Sequence, residues 1–252
     1  MTKHVWTTEM TDPIFHWVKI FNFAKTKEPL IVYSKAKLPI NFFIDHPHVG
    51  FNLTISGWGN TWLEPNVPSV NDMIDYFNHL TQLVDINRLR LRIDPGVPTK
   101  EGLDKAITVL KNIEILPKVI TSIIQYYSKH YHIFEQLQID MDYYRIQSGR
   151  AVFPKKEIAE RWLDYLKKIR PEADISFCGM PYLIEGSNHT GCVDNDMLKA
   201  IGVEDYIHIN PGKQRPGCKC VIAKRQACMG SCSHGCKYCY AHKENAIINS
   251  DE

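Results

Sequence analysis

The first 177 residues of this 252-residue chain contain no cysteine, and all eight cysteines lie in its last third. A disulfide framework usually spreads its cysteines through the fold, and Cys218 and Cys220, one residue apart, are too close for an ordinary bridge between them. The amino-terminal residues also lack the apolar stretch of a signal peptide, which favours a cytoplasmic, reducing location. In that compartment, clustered cysteines indicate metal ligands rather than disulfides.

Two further absences limit the class of protein. The chain has no apolar run long enough to span a bilayer, so no membrane partner is expected. Its net charge is only +2, so no strong electrostatic field indicates a nucleic-acid or membrane surface. With 44% hydrophobic and 23% charged residues and no repeat or linker, the composition predicts one folded domain over residues 1–252. The cysteine-rich segment 212–244 is predicted to bind the metal cluster.

Apolar, β-rich runs alternate with amphipathic segments along the chain. This alternation predicts a parallel sheet, and the number of units predicts an α/β fold with a full or partial (β/α) barrel. Segment 134–142 is open to two interpretations, another strand or part of an insertion that ends near Pro154. The predicted strands are 4–8, 30–34, 51–57, 88–94, 118–125, 173–178, 206–210 and 219–223, and the predicted helices are 11–24, 69–83, 99–113, 154–169 and 194–201.

Polar side chains follow several of the predicted strands. In a parallel α/β fold, the functional site lies at the carboxyl ends of the strands. Arg92 can hold a carboxylate through two parallel hydrogen bonds. The arginines at alternate positions 88, 90 and 92 also fit a solvent-facing edge strand, and both interpretations stay open. The candidate binding residues at strand ends are Ser34, Lys35, Glu64, Arg92 and Asp94.

The chain closes with the run Cys232-Ser-His-Gly-Cys236-Lys-Tyr-Cys239, a C-x3-C-x2-C spacing. Three thiolates on one short loop can hold three irons of a cubane iron–sulfur cluster. The fourth iron is then open to a ligand that is not protein. The spacing therefore favours an enzyme over a structural metal protein.

Four of the other cysteines form a second candidate set. Cys178, Cys192, Cys218 and Cys220 come from three separate segments, and together they can bind an auxiliary iron–sulfur cluster or a zinc ion. Cys228 can replace one of the four. The alternative is that Cys178 and Cys192 are buried apolar thiols, which is common for cysteines outside disulfides.

The triplet, with Tyr238 just before its third cysteine, resembles the cluster-binding motif of the radical S-adenosylmethionine (SAM) superfamily. Its flanking residues are similar to those of the spore photoproduct lyase and DNA repair photolyase-like branch, where the motif usually follows the first barrel strand. Here the motif ends the chain, as in a radical-SAM-like family of unassigned function. The resemblance to that family rests on Thr11-Asp12-Pro13, Tyr33-Ser34-Lys35, Leu63-Glu64-Pro65, Arg92-Ile93-Asp94-Pro95, Cys192-Val193-Asp194 and Gln214-Arg215 followed by Cys218 and Cys220.

The resemblance implies both a fold and a chemistry. The permuted order implies that the last strand, 219–223, lies next to an amino-terminal strand. Cys232, Cys236 and Cys239 would hold a [4Fe–4S] cluster that binds SAM, with Tyr238 beside it. Reductive cleavage of SAM would give a 5′-deoxyadenosyl radical, which abstracts hydrogen from a substrate. Such an enzyme implies an electron donor such as flavodoxin or ferredoxin, and a substrate, small molecule or nucleic acid, that the sequence does not identify.

Two other classes of protein compete with this interpretation. One is a zinc-bearing nucleic-acid-binding module, although C-x3-C-x2-C with a separate C-x-C is unusual for a zinc finger. The other is an iron–sulfur electron carrier, for which Cys228 can supply the fourth thiolate that the terminal run lacks. No catalytic residue is predicted for any of the three classes.

Overall fold

A computed structural model describes the backbone of residues 4–9, 11–206, 218–222, 224–227 and 231–239. The strands in these residues are β1 (Val5–Thr7), β2 (Leu30–Ser34), β3 (Val49–Thr54), β4 (Leu89–Gly96), β5 (Val119–Ile123), β6 (Tyr144–Ser148), β7 (Ala151–Pro154), β8 (Ile175–Phe177) and β9 (Lys224–Gln226). The helices are α1 (Trp17–Ala24), α2 (Ile40–Asp45), α3 (Val70–Leu83), α4 (Lys100–Asn112), α5 (Tyr131–Gln136), α6 (Lys156–Ile169) and α7 (Asn195–Ala200).

Seven of the strands form one parallel sheet, in the order β8-β5-β4-β3-β2-β1-β9. Every residue of β3 is buried, and so is all of β4 except Asp94, as expected for parallel strands that are covered on both faces. β6 and β7 form a separate antiparallel hairpin in the insertion between β5 and α6. The first five strands therefore follow one another along the sheet, and β8 and β9 extend its two ends.

One buried cluster joins α7 to strands that are not neighbours in the sheet. Val5 of β1, Ile31 of β2 and Ile120 of β5 belong to it together with Met197 and Leu198 of α7. At a strand spacing of about 4.8 Å, a flat sheet would separate β1 from β5 by about 19 Å, so a shared cluster favours a curved sheet. The predicted α/β fold is confirmed as a partial barrel, and we call the sheet face that packs in this cluster the concave face.

The other face of the sheet packs against the longer helices in a larger core. Phe51 of β3 and Leu91 of β4 belong to this core, together with buried residues of α3, α4 and α6. Gly96 of β4 allows a close approach of α6, because an added Cβ would lie 2.5 Å from the Trp162 ring. No helix in the described part of the chain is long and apolar enough to cross a membrane.

Most strand predictions agree with the structure. The bounds of β2 are those predicted, and β1, β3, β4, β5 and β8 overlap their predicted spans. Segment 134–142 belongs to an insertion, because α5 ends at Gln136 and the hairpin of β6 and β7 follows it. The predicted strand 206–210 lies outside the described residues from position 207 onward.

The last strand lies beside β1, as the permuted order implies, but its predicted bounds of 219–223 are wrong. The strand is β9, and residues 218–222 precede it. The backbone N–H of Val221 donates to the carbonyl oxygen of Val193 at 3.2 Å, and Cys220 and Ile222 are buried in the α7 cluster. This apolar run therefore packs in the same buried cluster as α7.

Candidate cluster and cofactor site

The cysteine triplet lies on the segment 231–239, which follows β9. Cys236 is buried, Cys239 is half-buried and Cys232 is exposed. None of the three forms a disulfide. One loop thus presents three thiols with different access to solvent.

The environment of Cys236 joins the triplet to the ends of β2 and β3. Burial raises the pKa of its thiol to about 12, and Glu64, Cys239 and Cys232 add to this effect against the lowering influence of Lys35. Metal binding to such a thiol would release its proton, because the ligand is the thiolate. The same electrostatic contacts place the triplet beside two of the predicted binding residues.

His234 anchors the cluster loop to two distant parts of the chain. Its Nε2 donates to the Asp12 carboxylate at 2.8 Å, and its Nδ1 lies 3.1 Å from the carbonyl oxygen of Asn66. Asn66 in turn donates through its side chain to the Ser233 carbonyl at 2.9 Å. The Lys237 N–H donates to the Leu63 carbonyl at 3.0 Å. The imidazole is buried, so it serves as an internal brace of the loop.

Asp12 is a buried carboxylate that connects three segments. Besides His234, it accepts hydrogen bonds from the Ser34 hydroxyl at 2.8 Å and from the backbone N–H of Lys35 at 2.7 Å. It also caps the helical turn before α1 by accepting from the N–H of Ile14. The predicted binding residue Ser34 is therefore held by Asp12, which fixes the end of β2 relative to the cluster loop.

Glu64 is the centre of a second polar group. It is fully buried and accepts from Lys35 Nζ and from the Ser56 hydroxyl, both at 2.7 Å, and from the Tyr238 hydroxyl. Burial lowers the pKa of Lys35, but Glu64 and Cys236 raise it more, so the ammonium form is favoured. Three of the predicted binding residues thus meet beside the triplet.

Arg92 and Asp94 continue this network along β4. The two side chains form an ion pair, Asp94 also accepts from the Ser122 hydroxyl, and Lys35 Nζ donates to the Asp94 carbonyl at 3.3 Å. Arg92 Nη1 lies 2.8 Å from Cys192 Sγ. The interpretation of β4 as a solvent-facing edge is wrong, because β4 lies inside the sheet and the arginines at 88, 90 and 92 are buried.

The second set of cysteines also comes together. The sulfurs of Cys178 and Cys192 are 3.6 Å apart, and the thiol of Cys220 is hydrogen-bonded to Cys192. Cys218 packs against the same buried cluster. None of the four forms a disulfide, and Cys228 lies outside the described residues. Arg92 separates this set from the binding residues around Glu64.

The triplet has the donor set that an iron–sulfur cluster requires. In residues 4–9, 11–206, 218–222, 224–227 and 231–239, no three His, Cys, Asp or Glu side chains are grouped so that they could hold a single metal ion. The thiolates of a cubane bind separate irons, so they do not converge on one point. The triplet supplies three cysteine side chains on one loop, which is the ligand type of a cubane cluster.

A cavity of about 1270 Å³ lies apart from both cysteine sets. Its lining comes from α3, α4, α6 and the insertion, and includes Lys105, Arg161 and Trp162. Gly57, which follows the site residue Ser56 in the chain, is the lining residue of the cavity that is nearest in sequence to the site. It is therefore a separate surface feature, and the network of Lys35, Glu64 and Asp94 does not line it.

The sequence did not predict Asp12 and His234 as residues of the site. Asp12 reads as the start of a helix, since proline follows it, and His234 reads as a loop residue that need not be a ligand. Their hydrogen bond joins positions 222 residues apart. No local pattern predicts such a contact, although both residues stand inside the motifs that carry the family resemblance.

The fold and the site together define a class: a parallel α/β partial barrel whose strand ends face a three-cysteine loop at the end of the chain. Residues 16–241 match the model of a family described as a domain of unknown function, DUF1848, and the chain belongs to that family. The matched region includes the whole triplet. This agrees with the expected membership of a family without an assigned function.

Comparison with solved structures finds low similarity. A mutant spore photoproduct lyase with bound AdoMet and a dinucleoside spore photoproduct has a TM-score of 0.47 and 11% identity, over 69% of this chain and 61% of that chain. A second mutant of spore photoproduct lyase has a TM-score of 0.43 and 12% identity, over 64% of this chain and 55% of that one. The chain thus spans less than two thirds of their length. No curated protein matches it.

Proposed function

We propose that the chain is a radical SAM enzyme in which Cys232, Cys236 and Cys239 hold a [4Fe–4S] cluster. The observation that carries this proposal is the C-x3-C-x2-C loop, which is braced by His234 and lies against the charged group of Glu64. Three thiolates leave one iron for SAM. When bound, the cluster supplies one electron for cleavage of SAM to methionine and a 5′-deoxyadenosyl radical.

The polar strand ends would bind SAM. Lys35 and Arg92 are cations that can pair with its carboxylate, and Glu64 and Asp94 can accept hydrogen bonds from its amino group and ribose hydroxyls. The Tyr238 hydroxyl, which donates to Glu64, would hold this acceptor in place beside the cluster. Ser34 would act indirectly, because its hydroxyl is bonded to Asp12.

The concave face of the barrel would receive the substrate. Three polar atoms on this face, Thr7 Oγ1, Tyr33 Oη and Asn52 Oδ1, are buried without a hydrogen-bond partner among the described residues. Buried polar groups normally have partners, so these atoms are candidates for contacts with substrate or ordered water. The surrounding apolar residues would keep a carbon radical away from solvent. Analysis of the product would show whether the substrate is a small molecule or a nucleic acid. We also propose that the enzyme acts in the reducing cytoplasm.

Anaerobic reconstitution with iron and sulfide tests the proposal. After addition of SAM and dithionite, the wild-type chain should release 5′-deoxyadenosine. Cys236→Ala should abolish this release and remove the part of the cluster absorbance that responds to SAM, whereas Ser233→Ala, an exposed neighbour on the same loop, should retain both. A well-formed cluster whose spectrum ignores SAM would favour an electron carrier instead. Tightly bound zinc without a brown chromophore would favour a zinc-bearing binding module.

We further propose that Cys178, Cys192, Cys218 and Cys220 bind a second metal centre, an auxiliary cluster or zinc. Support comes from the 3.6 Å contact between the sulfurs of Cys178 and Cys192, since two thiolates on one tetrahedral metal lie about 3.8 Å apart. Cys220 interacts with Cys192 as well, and Cys218 packs against the same buried cluster.

Metal analysis of a variant without the terminal triplet separates this second centre from the first. The triple substitution of Cys232, Cys236 and Cys239 by Ala should still retain zinc, or iron with sulfide, and the ratio identifies the metal. A further Cys192→Ala substitution should remove it. If the triple variant binds neither metal, Cys178 and Cys192 are buried apolar thiols.

A further inference from the structure

An exposed apolar surface lies on α1 and the turn that precedes it. Phe15, Val18 and Phe21 follow one another at intervals of three residues, which places them along one side of the helical segment. Three of the eleven large hydrophobic side chains that are exposed in the described residues thus fall within seven positions, and Val18 is 71% exposed. We call Phe15, Val18 and Phe21, with their exposed neighbours Lys19 and Lys25, the α1 face.

The α1 face adjoins the cluster loop. The rings of Phe15 and His234 are in edge-to-face contact, with their centroids 4.9 Å apart. His16 Nε2 lies 3.0 Å from the carbonyl oxygen of Ser231, the residue before the exposed Cys232. A protein that covers the α1 face would therefore also stand next to the exposed edge of the triplet.

Along its own segment, the charge of this surface has one sign. Between Asp12 and Glu28 the chain has no acidic residue, whereas Lys19, Lys25 and Lys27 are all exposed. Lys25 Nζ lies 4.7 Å from the centre of the Phe21 ring, so the positive charge is mixed with the apolar patch. An apolar centre with a basic rim suits a partner with an acidic surface, because complementary charges steer the encounter.

We propose that the α1 face is the docking surface for an acidic, soluble one-electron carrier protein, such as a flavodoxin or a ferredoxin. The inference rests on the proposed function, since SAM cleavage requires one electron from outside the chain. The carrier loses one electron and the cluster gains it, with no bond made or broken and no proton moved. A small patch is sufficient, because electron-transfer encounters bury less surface than stable complexes. A second copy of this chain fits poorly, because it would bring lysines against lysines.

Binding measurements test the surface without depending on activity. The oxidised forms of a flavodoxin and a ferredoxin are titrated separately into the reconstituted chain by calorimetry at low and high salt. At least one should bind, with affinity that falls as salt rises. Val18→Asp should weaken that binding about tenfold or more, because it places a carboxylate in the patch. Leu183→Asp, at a leucine elsewhere that is 56% exposed, should leave the affinity within about twofold.

A second measurement separates this inference from the proposed function. With the carrier as reductant, Val18→Asp should slow release of 5′-deoxyadenosine, and with dithionite it should match the wild type, because dithionite needs no docking surface. If the wild type releases no 5′-deoxyadenosine with dithionite, the proposed function is wrong. The binding measurements then still test whether a carrier docks on the α1 face.

Four outcomes would overturn the docking proposal. The first is that neither carrier binds the wild type, and the second is that Val18→Asp binds the carrier as tightly as the wild type does. The third is that Leu183→Asp loses as much affinity for the carrier as Val18→Asp. The fourth is that the wild type sediments as a dimer and Val18→Asp as a monomer. The last result would assign the α1 face to self-association.

Discussion

Glu64 shows how single residues shape the site. Its carboxylate is fully buried, which is unfavourable unless the charge is paired. Lys35, Ser56 and Tyr238 supply the pairing, and they come from three separate parts of the chain. Removal of one partner from a buried ion pair leaves an uncompensated charge and is strongly destabilising. The network should therefore be rigid, which suits the binding of a polar cofactor.

Glu64→Gln should lower the free energy of unfolding by about 3 kcal/mol, because it leaves the Lys35 ammonium without its carboxylate. Chemical denaturation of the cluster-free protein measures this directly. Glu101→Gln is the matched control, since Glu101 is exposed in a 3.5 Å pair with Lys105, and it should change stability by less than about 0.5 kcal/mol.

A double variant checks the cause of that loss. Adding Lys35→Met to Glu64→Gln should recover part of the stability, since both charges are then gone. If the two substitutions are simply additive, Lys35 and Glu64 are not energetically coupled and the ion-pair explanation is wrong.

At the scale of elements, Asp194 ties the start of α7 to the sheet, in addition to the packing of Met197 and Leu198. Asp194 caps the helix by accepting from the Met197 N–H at 3.0 Å. It also pairs with Arg90 Nη2 at 2.5 Å and with Lys118 Nζ at 2.8 Å. The helix start is thus tied to β4 and to the residue before β5.

Asp194→Asn should destabilise the fold by about 3–5 kcal/mol, because Arg90 is buried and would lose its carboxylate. Asp196→Asn is the control: Asp196 also pairs with Lys118, but it is exposed. Thermal unfolding of the two variants should differ clearly, and equal loss of stability would argue against the role of the Arg90 pair.

The pairing of Lys118 predicts a dependence on pH. Burial lowers the pKa of Lys118, but its hydrogen bonds to Asp194 and Asp196 raise it more. A raised pKa in the folded state means that the stabilisation is fully present below the unfolded value of about 10.4 and is lost as pH rises through the folded pKa. The difference in unfolding free energy between wild type and Lys118→Met should therefore stay constant from roughly pH 6 to 9 and shrink above about pH 10.4. If the difference in unfolding free energy already shrinks between roughly pH 6 and 9, the pairing of Lys118 with Asp194 and Asp196 is contradicted.

The cluster loop is the second element with a specific anchor. His234→Ala removes the contacts with Asp12 and Asn66, and it leaves the buried Asp12 carboxylate without its imidazole partner. Outer partners of metal sites typically change metal affinity by about 10–100-fold. We therefore expect a lower melting temperature, and we expect the reconstituted cluster to be lost about tenfold faster on challenge with an iron chelator. Lys237→Ala, at an exposed side chain on the same loop, should lose its cluster at the wild-type rate.

At the scale of the whole molecule, the end of the chain closes onto its beginning. β9 pairs with β1, and the loop 231–239 bonds to Asp12, Leu63 and Asn66. A ligand that binds the folded chain only stabilises it by about 2.7 kcal/mol at a hundredfold excess over its dissociation constant. For a domain of this size, that corresponds to a rise of roughly 5–10 °C in melting temperature. Cluster reconstitution should produce such a rise in the wild type and a smaller one in Cys236→Ala, which keeps intact only the four cysteines of the proposed second centre.

The strands were predictable where their physics is local. The run Leu30–Ser34 is apolar and β-branched, and its bounds agree with the prediction. The bounds of β9 could not be predicted, because Lys224, Arg225 and Gln226 have no apolar pattern and form a strand only through pairing with β1. The apolar run before it was misassigned because burial against α7 and burial in a sheet select the same residue types.

The sequence by itself determined the cysteine triplet, the α/β alternation and the family resemblance, because spacing and periodicity are properties of neighbouring residues. Tertiary structure alone decided that Asp12 and His234 brace the triplet, that Glu64 meets Lys35 and Tyr238, and that Arg92 reaches Cys192. These contacts join residues that are far apart in the chain. They exist because a curved parallel sheet brings the ends of its strands to one place.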